Sequence, residues 1–224
     1  MLKKVLTTAV LGVSALGVMA ANAAAPGVYV TGQLGYANTH MKNKTDISAI
    51  SKEASETPAE IKTDSSNLSN NGLAGRLAIG YQFNQNFAVE MGYLQLSRKK
   101  ISATYHDISA SALLQQNAID LAGKAIFPIE NNLNIYGKLG VAYLTTTLTG
   151  EVAKHGDDLP ATYDLNGVAN IAKHKWAPEA AIGVSYDITP NVSVDTSWTH
   201  IQPLGKKRPG NIDFVAVGLS YNFG

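Results

Sequence analysis

Cysteine is absent from the 224 residues, which excludes a disulfide scaffold, a thiolate zinc site and a cysteine-linked lipid anchor. A surplus of one charge sign is missing too. Lys and Arg number 18 against 17 Asp and Glu, for a formal net charge of +1. No long-range field favours nucleic acid, and no nucleic-acid partner is expected. Long hydrophobic runs are scarce: a mean hydropathy of −0.03 rules out a bundle of membrane helices, each of which needs ~20 mostly apolar residues. What is present, 45% hydrophobic residues, suffices for a sizeable core in one large domain or two small ones.

The one apolar stretch lies at the start. Lys3 and Lys4 precede an apolar segment from Val5 to Ala20, followed by small residues at Ala21, Ala23 and Ala25. This is the basic, apolar, small-residue order of a secretory signal cut near 23–25. The expected division is a signal peptide over 1–25 and one barrel domain over 26–224. Without the two leader lysines, 16 basic residues face 17 acidic ones.

The rest of the chain alternates with the period of a strand. Val28, Val30, Leu34 and Tyr36 oppose Thr31, Gln33 and Gly35; Leu73, Leu77, Ile79, Tyr81 and Phe83 oppose Ala74, Arg76, Ala78, Gly80 and Gln82. Phe87 to Tyr93, Ile119 to Phe127, Leu133 to Tyr143, Ala180 to Ile188, Val192 to Trp198 and Val215 to Phe223 repeat the pattern, giving eight strands. Three connections are tight and turn-forming: Asn84-Gln85-Asn86, Glu130-Asn131-Asn132 and Thr189-Pro190-Asn191. Four are longer, about Ala37 to Asn71, Ser97 to Ser111, Thr145 to His174 and Gln202 to Asn211. Short and long links alternate strictly, so all tight turns fall at one end. Even strand number and segregated loops predict an all-β, eight-stranded antiparallel up-and-down transmembrane barrel, with short periplasmic turns, long extracellular loops and both termini periplasmic.

Aromatic residues give a second sign. Tyr81, Phe83, Phe87, Phe127, Tyr186, Tyr221 and Phe223 flank the tight turns or the C-terminus, whereas Tyr36, Tyr93, Tyr143 and Trp198 lie toward the opposite strand ends. Two belts bracketing aliphatic residues fit an apolar band about 25 Å tall between aromatic girdles. A soluble cup with its apolar face inward is the alternative. It would turn outward a Gly- and Ala-rich face bearing Arg76, Glu90, Asp120, Lys124, Lys138, Glu179, Asp187 and Asp195, and would waste the belts.

Three segments carry a family resemblance. RLAIGYQFNQNFAVEMGY (Arg76 to Tyr93), IDLAGKAIFPIENNLNIYGKLGVAY (Ile119 to Tyr143) and GVSYDITPNVSV (Gly183 to Val194) resemble, in order, three hairpin regions of the OmpA-type transmembrane barrel family. The resemblance implies an eight-stranded outer-membrane barrel, monomeric or weakly associating. Larger relatives add a peptidoglycan-binding domain after the barrel; with Gly224 the last residue, that function is expected to be absent. Val215, Val217, Leu219, Tyr221 and Phe223 resemble the C-terminal signal read by the barrel-assembly machinery, with Gly224 as a departure because the aromatic is usually last. Expected partners are therefore that machinery, periplasmic chaperones, outer-membrane lipid and lipopolysaccharide. No cofactor is expected.

Charges inside a narrow barrel must be paired or wet, because an isolated buried ion costs several kcal/mol. Counted from the tight turns, Glu90 and Lys124 stand at similar heights, which predicts an ion pair joined by Lys138. With Arg76, Asp120, Glu179 and Asp195 they form the candidate lumenal network. In the resembled family, residues matching Glu90 and Lys124 belong to a network proposed to gate a narrow conduit, and Lys138 matches a lumenal arginine. Ser185 stands where that family often has glutamate and Asp195 where it has arginine. The same charges equally make a plug that fixes strand register, and eight strands close tightly enough to favour the plug.

Catalysis is not expected. A lipid A-modifying barrel needs a hydroxyl, a histidine and an orienting acid together. His40, His106, His155, His174 and His200 are placed in loops or at outer strand ends, and Ile201-Gln202 follows His200 in place of the His-x-Ser spacing. His155, Asp157 and Asp158 read as a hydrophilic loop tip rather than a metal site. A short helix within Ile47 to Ala59 is one option for the first loop. Arg98, Lys99 and Lys100 in the second long loop, and Lys206, Lys207 and Arg208 in the fourth, form two outward basic clusters. These suit lipopolysaccharide phosphates or, in an adhesin or invasin, sulfated sugars on a host surface. The expected function is structural and surface-exposed, with a narrow ion or solute conduit or an adhesin as the competing specific roles.

Overall fold

A computed structural model describes residues 26–40, 71–105, 108–130, 132–154, 161–164, 172–206 and 208–224. The leader over 1–25 and the first long connection, with the helix considered at Ile47 to Ala59, lie outside the described residues. Among the described residues ten strands are formed: β1 (Gly27–His40), β2 (Asn71–Gln82), β3 (Phe87–Leu96), β4 (Lys99–Tyr105), β5 (Ile108–Glu130), β6 (Leu133–Lys154), β7 (Ala161–Asp164), β8 (His174–Asp187), β9 (Val192–Ile201) and β10 (Asn211–Asn222). All pairings are antiparallel.

Eight of the ten close a ring in the order β1-β2-β3-β5-β6-β8-β9-β10, with β10 returning to β1. Closure pairs each wall strand on both sides, so its backbone donors and acceptors are met by neighbouring strands rather than by water. The last strand seats on the first through Tyr29↔Asn222 to His40↔Asn211, and Phe223 N donates to Val28 O at 2.9 Å. The tight turns are fixed by their own side chains. Asn84 Oδ1 accepts from Asn86 N and Phe87 N, each at 2.9 Å, and Thr189 Oγ1 accepts from Val192 N at 3.0 Å.

The second and third long connections depart from expectation. Both contain strands: β4 and β7 pair with the outer parts of β5 and β6. β5 and β6 run on together for nine pairs, Ile108↔Lys154 to Gln116↔Thr146, beyond the last residue that β3 or β8 engages. At ~3.4 Å per residue this four-stranded extension reaches roughly 30 Å past the neighbouring strands. Its sequence is Ser-, Thr- and Ala-rich, so period-2 alternation is present but its apolar contrast is weak.

Outward residues are apolar and open. Leu34, Leu77, Leu139 and Val217 are 73%, 71%, 74% and 66% exposed, on a scale that only a lipid environment or a large partner tolerates. Aromatics border this band: Tyr81 against Phe83 and Tyr221 against Phe223 at the tight-turn end, Tyr143 against Trp176 at the other. Trp176 belongs to the belt although sequence reading began its strand only at Ala180.

Candidate functional site

The lumen is layered along the barrel axis. Its charged layer is centred on Arg76 of β2. Arg76 Nε and Nη2 donate to Asp120 Oδ2 and Oδ1 at 3.0 and 2.5 Å, while Nη1 donates to Glu90 Oε1 at 2.6 Å. Lys138 Nζ also reaches Glu90 Oε1, at 2.7 Å, and Tyr29 OH donates to Glu90 Oε2 at 3.0 Å. Arg76, Glu90, Asp120, Lys138 and Glu179 are each at most 5% exposed. The bidentate fork onto Asp120 is the geometry that makes a buried guanidinium–carboxylate pair tolerable. Gly92 makes room for it: a Cβ there would meet the Arg76 guanidinium.

A second cluster hangs on Asp195 of β9, whose Oδ2 accepts from Gln33 Nε2 at 2.8 Å and Tyr136 OH at 2.7 Å. Gln33 Oε1 accepts from Arg76 Nη1 at 3.4 Å and links the two clusters. Asp195 Oδ1 and Glu179 Oε2 are buried without a hydrogen-bond partner.

The expected Glu90–Lys124 ion pair is replaced by another arrangement. Glu90 pairs with Arg76 and Lys138, whereas Lys124 lies over the Tyr136 ring, 4.3 Å from its centroid, and 5.5 Å from that of Tyr29. Lys124 and Lys138 are direct partners across β5 and β6, and both oxygens of Glu90 are taken: Oε1 accepts from Arg76 and Lys138, and Oε2 from Tyr29. Lys124 borders a cavity of about 50 Å³ at the tight-turn end, lined also by Asn134, Ser185, Asp187 and Ser220. Asp187 there accepts from Asn134 Nδ2 at 3.0 Å.

Above the charges lies an apolar layer that sequence reading did not separate out. Ala37, Ala74, Leu94, Leu96, Ala118, Ala142, Leu144, Ala177, Ile201, Ile212, Phe214 and Ala216 form one buried cluster. On each strand that carries a network charge, its members stand on the long-loop side of that charge: Ala74 beyond Arg76, Leu94 beyond Glu90, Ala118 beyond Asp120, Leu144 beyond Lys138, Ala177 beyond Glu179 and Ile201 beyond Asp195. Leu94, Leu144, Ile201, Ile212 and Phe214 are no more than 1% exposed. Tyr29, Gln33 and Tyr136 join the network as uncharged members, and strict alternation puts each on the lumenal face.

At the long-loop end, Asp213 receives His200 Nδ1 at 2.7 Å and His40 Nδ1 at 3.3 Å, while the His174 ring stacks on Tyr143 at 5.5 Å. Arg98, Lys206 and Arg208 are exposed, and Lys99 and Lys100 occupy β4. Lys207, His106, His155, Asp157 and Asp158 lie outside the described residues. Val215, Val217, Leu219, Tyr221 and Phe223 all face outward, 45–66% exposed.

A closed antiparallel ring of eight strands, charged within and apolar without between two aromatic belts, is an outer-membrane β-barrel. The chain belongs to the OmpA-like transmembrane domain family, whose model matches residues 23–224. An uncharacterized protein of Coxiella burnetii is 30% identical over 226 residues, 90% of this chain and 87% of that one. Outer membrane protein A of Serratia marcescens is 29% identical over 153 residues, covering 65% of this chain but 38% of its own length. Among solved structures, Neisserial surface protein A overlays with a TM-score of 0.51 at 14% identity, over 88% of this chain and 97% of that one.

Proposed function

We propose that the protein is a non-conducting outer-membrane scaffold, acting as a monomer, whose charged layer locks the wall and whose long-loop end presents a surface outside the cell. In this reading residues 1–25 are removed on export, the tight turns and both termini face the periplasm, and the outward C-terminal strand is read by the assembly machinery.

The apolar layer carries the proposal. An ion crossing the lumen must leave the charged layer and pass Leu94, Leu144, Ile201, Ile212 and Phe214, all essentially inaccessible, whose apolar side chains cannot replace its hydration. The cavity beside Lys124 is thus a blind vestibule. On the long-loop side, the space bordered by Thr39, Leu96, Leu114 and Gln116 is about 10 Å³, room for about one water molecule. It is too small for an acyl chain, which argues against lipid-modifying chemistry. Single-channel recording on refolded barrel in planar bilayers tests the proposal. A flat baseline is expected, and reproducible unitary steps abolished by Lys124→Gln would establish a gated conduit instead.

The second reading is an adhesin, favoured by the four-stranded extension carrying Lys99 and Lys100. Cells displaying the protein would then adhere to sulfated glycan surfaces, and would lose that adhesion when Arg98, Lys99 and Lys100 are replaced by Gln.

A further inference from the structure

The lumenal charges do not all find partners, and one acid is left over. Arg76 and Lys138 are matched by Glu90 and Asp120, in three ion pairs that share those four side chains. Lys124 and Asp195 share one tyrosine: the ammonium lies over the Tyr136 ring, and the Tyr136 hydroxyl donates to Asp195 Oδ2 at 2.7 Å. Asp187 stands apart in the vestibule, where it takes the Asn134 amide. Glu179 remains. It is 4% exposed, its Oε2 has no hydrogen-bond partner, and no ion pair reaches it among the described residues.

The surrounding wall explains this isolation. The lateral partners of Glu179 are Gly140 on β6 and Ile201 on β9, and neither has a polar side chain. Gly140 has no room for one, since a Cβ there would meet Leu121 O and Ala122. Along β8 the next residues on the same face are Ala177 and Ala181. Ile201 pairs in turn with Ile212 of β10, and Ala177, Ile201 and Ile212 all belong to the apolar layer. Glu179 thus stands where the charged layer ends. The charges that reach it through space are Asp120 of β5, Arg76 of β2, Lys138 of β6 and Glu90 of β3. Both acids repel a further negative charge, and both cations are already held.

A carboxylate in that position would lack both water and a counter-ion, and a buried acid so placed takes up a proton instead. We propose that Glu179 is a proton-binding site, held in the folded barrel as the uncharged acid. The bound proton makes the charged layer neutral. It also keeps an unpaired charge from standing against Ala177 and Ile201, where it would draw water into the apolar closure. A proton is favoured over a metal cation because the latter needs several oxygen ligands, and the side chains of Gly140, Ala177 and Ile201 supply none. The consequence for the closure rests on the non-conducting reading. The proton does not, and it is counted without any measurement of conductance.

The test counts the protons released when refolded full-length barrel in lipid vesicles is unfolded by urea at neutral pH, followed with an indicator dye in weakly buffered solution. Unfolding hands Glu179 to water, where a glutamate is ionised at that pH. The wild type is therefore expected to release about one more proton per barrel than Glu179→Gln. Infrared spectra of the folded wild type should also show the carbonyl stretch of a protonated carboxyl, absent from Glu179→Gln. Gln has the shape of the neutral acid and should fold, as heat-shifted gel migration reports; Glu179→Ala serves as the second variant if it does not. Equal proton release by wild type and folded variant, or no such infrared band, overturns the proposal. So does a wild-type urea midpoint that rises with sodium or potassium while that of Glu179→Gln stays fixed, which would mark a metal cation in the proton's place.

Discussion

Arg76 shows why a protein of ordinary composition survives with charges at its centre. Three of its nitrogens are committed to two carboxylates, so its deletion strands Asp120 in a buried layer and leaves Glu90 to Lys138 and Tyr29. Arg76→Leu is expected to destabilise the barrel by about 3–5 kcal/mol, read as a lower urea midpoint for the folded gel band in lipid vesicles; an unchanged midpoint would remove the network from any structural role. Gly92→Ala should act through the same side chain, because its Cβ would displace the guanidinium, at a cost of about 1–3 kcal/mol. Paired with Arg76→Leu it should add less than its single-variant cost. The set of charged residues was legible in the sequence because alternation alone assigns a lumenal face. Their pairing was not. Glu90 chooses Arg76 and Lys138 over Lys124 through lateral register and side-chain reach, and counting from turns supplies neither.

At the scale of the strand, neighbouring residues live in different solvents. On β6, Lys138 is 5% exposed inside while Leu139 is 74% exposed outside. Leu139→Arg should therefore cost about 2–4 kcal/mol near the bilayer midplane, measured by reversible unfolding in lipid vesicles. No effect in lipid would contradict a lipid-facing assignment. The eight wall strands were readable because each face meets a distinct environment. β4 and β7 were not, since residues such as Ser102, Ala103 and Thr104 alternate with little apolar contrast, and pairing with β5 and β6 decides their conformation. The apolar layer escaped notice for a related reason. The ring alone brings Ala118, Ala142 and Ala177 beside Leu94, Ile201 and Phe214, a grouping that no single strand displays.

The whole molecule is a wall with two unlike ends: tight turns and a shallow polar vestibule at one, an apolar closure and a projecting sheet at the other. This polarity follows from the alternation of three tight turns with long connections, and in the proposed orientation it holds the long-loop surface outside the cell. The absence of cysteine allows each end to be addressed singly. Gln85→Cys, half-buried in the first tight turn at the mouth of the vestibule, and Lys206→Cys, exposed beside Gly205, mark opposite ends of the barrel. Intact cells carrying either variant are exposed to a membrane-impermeant maleimide, before and after the outer membrane is permeabilised. The account predicts that Lys206→Cys labels at once and Gln85→Cys only after permeabilisation. Immediate labelling of Gln85→Cys with protection of Lys206→Cys, or equal labelling of both on intact cells, would contradict it.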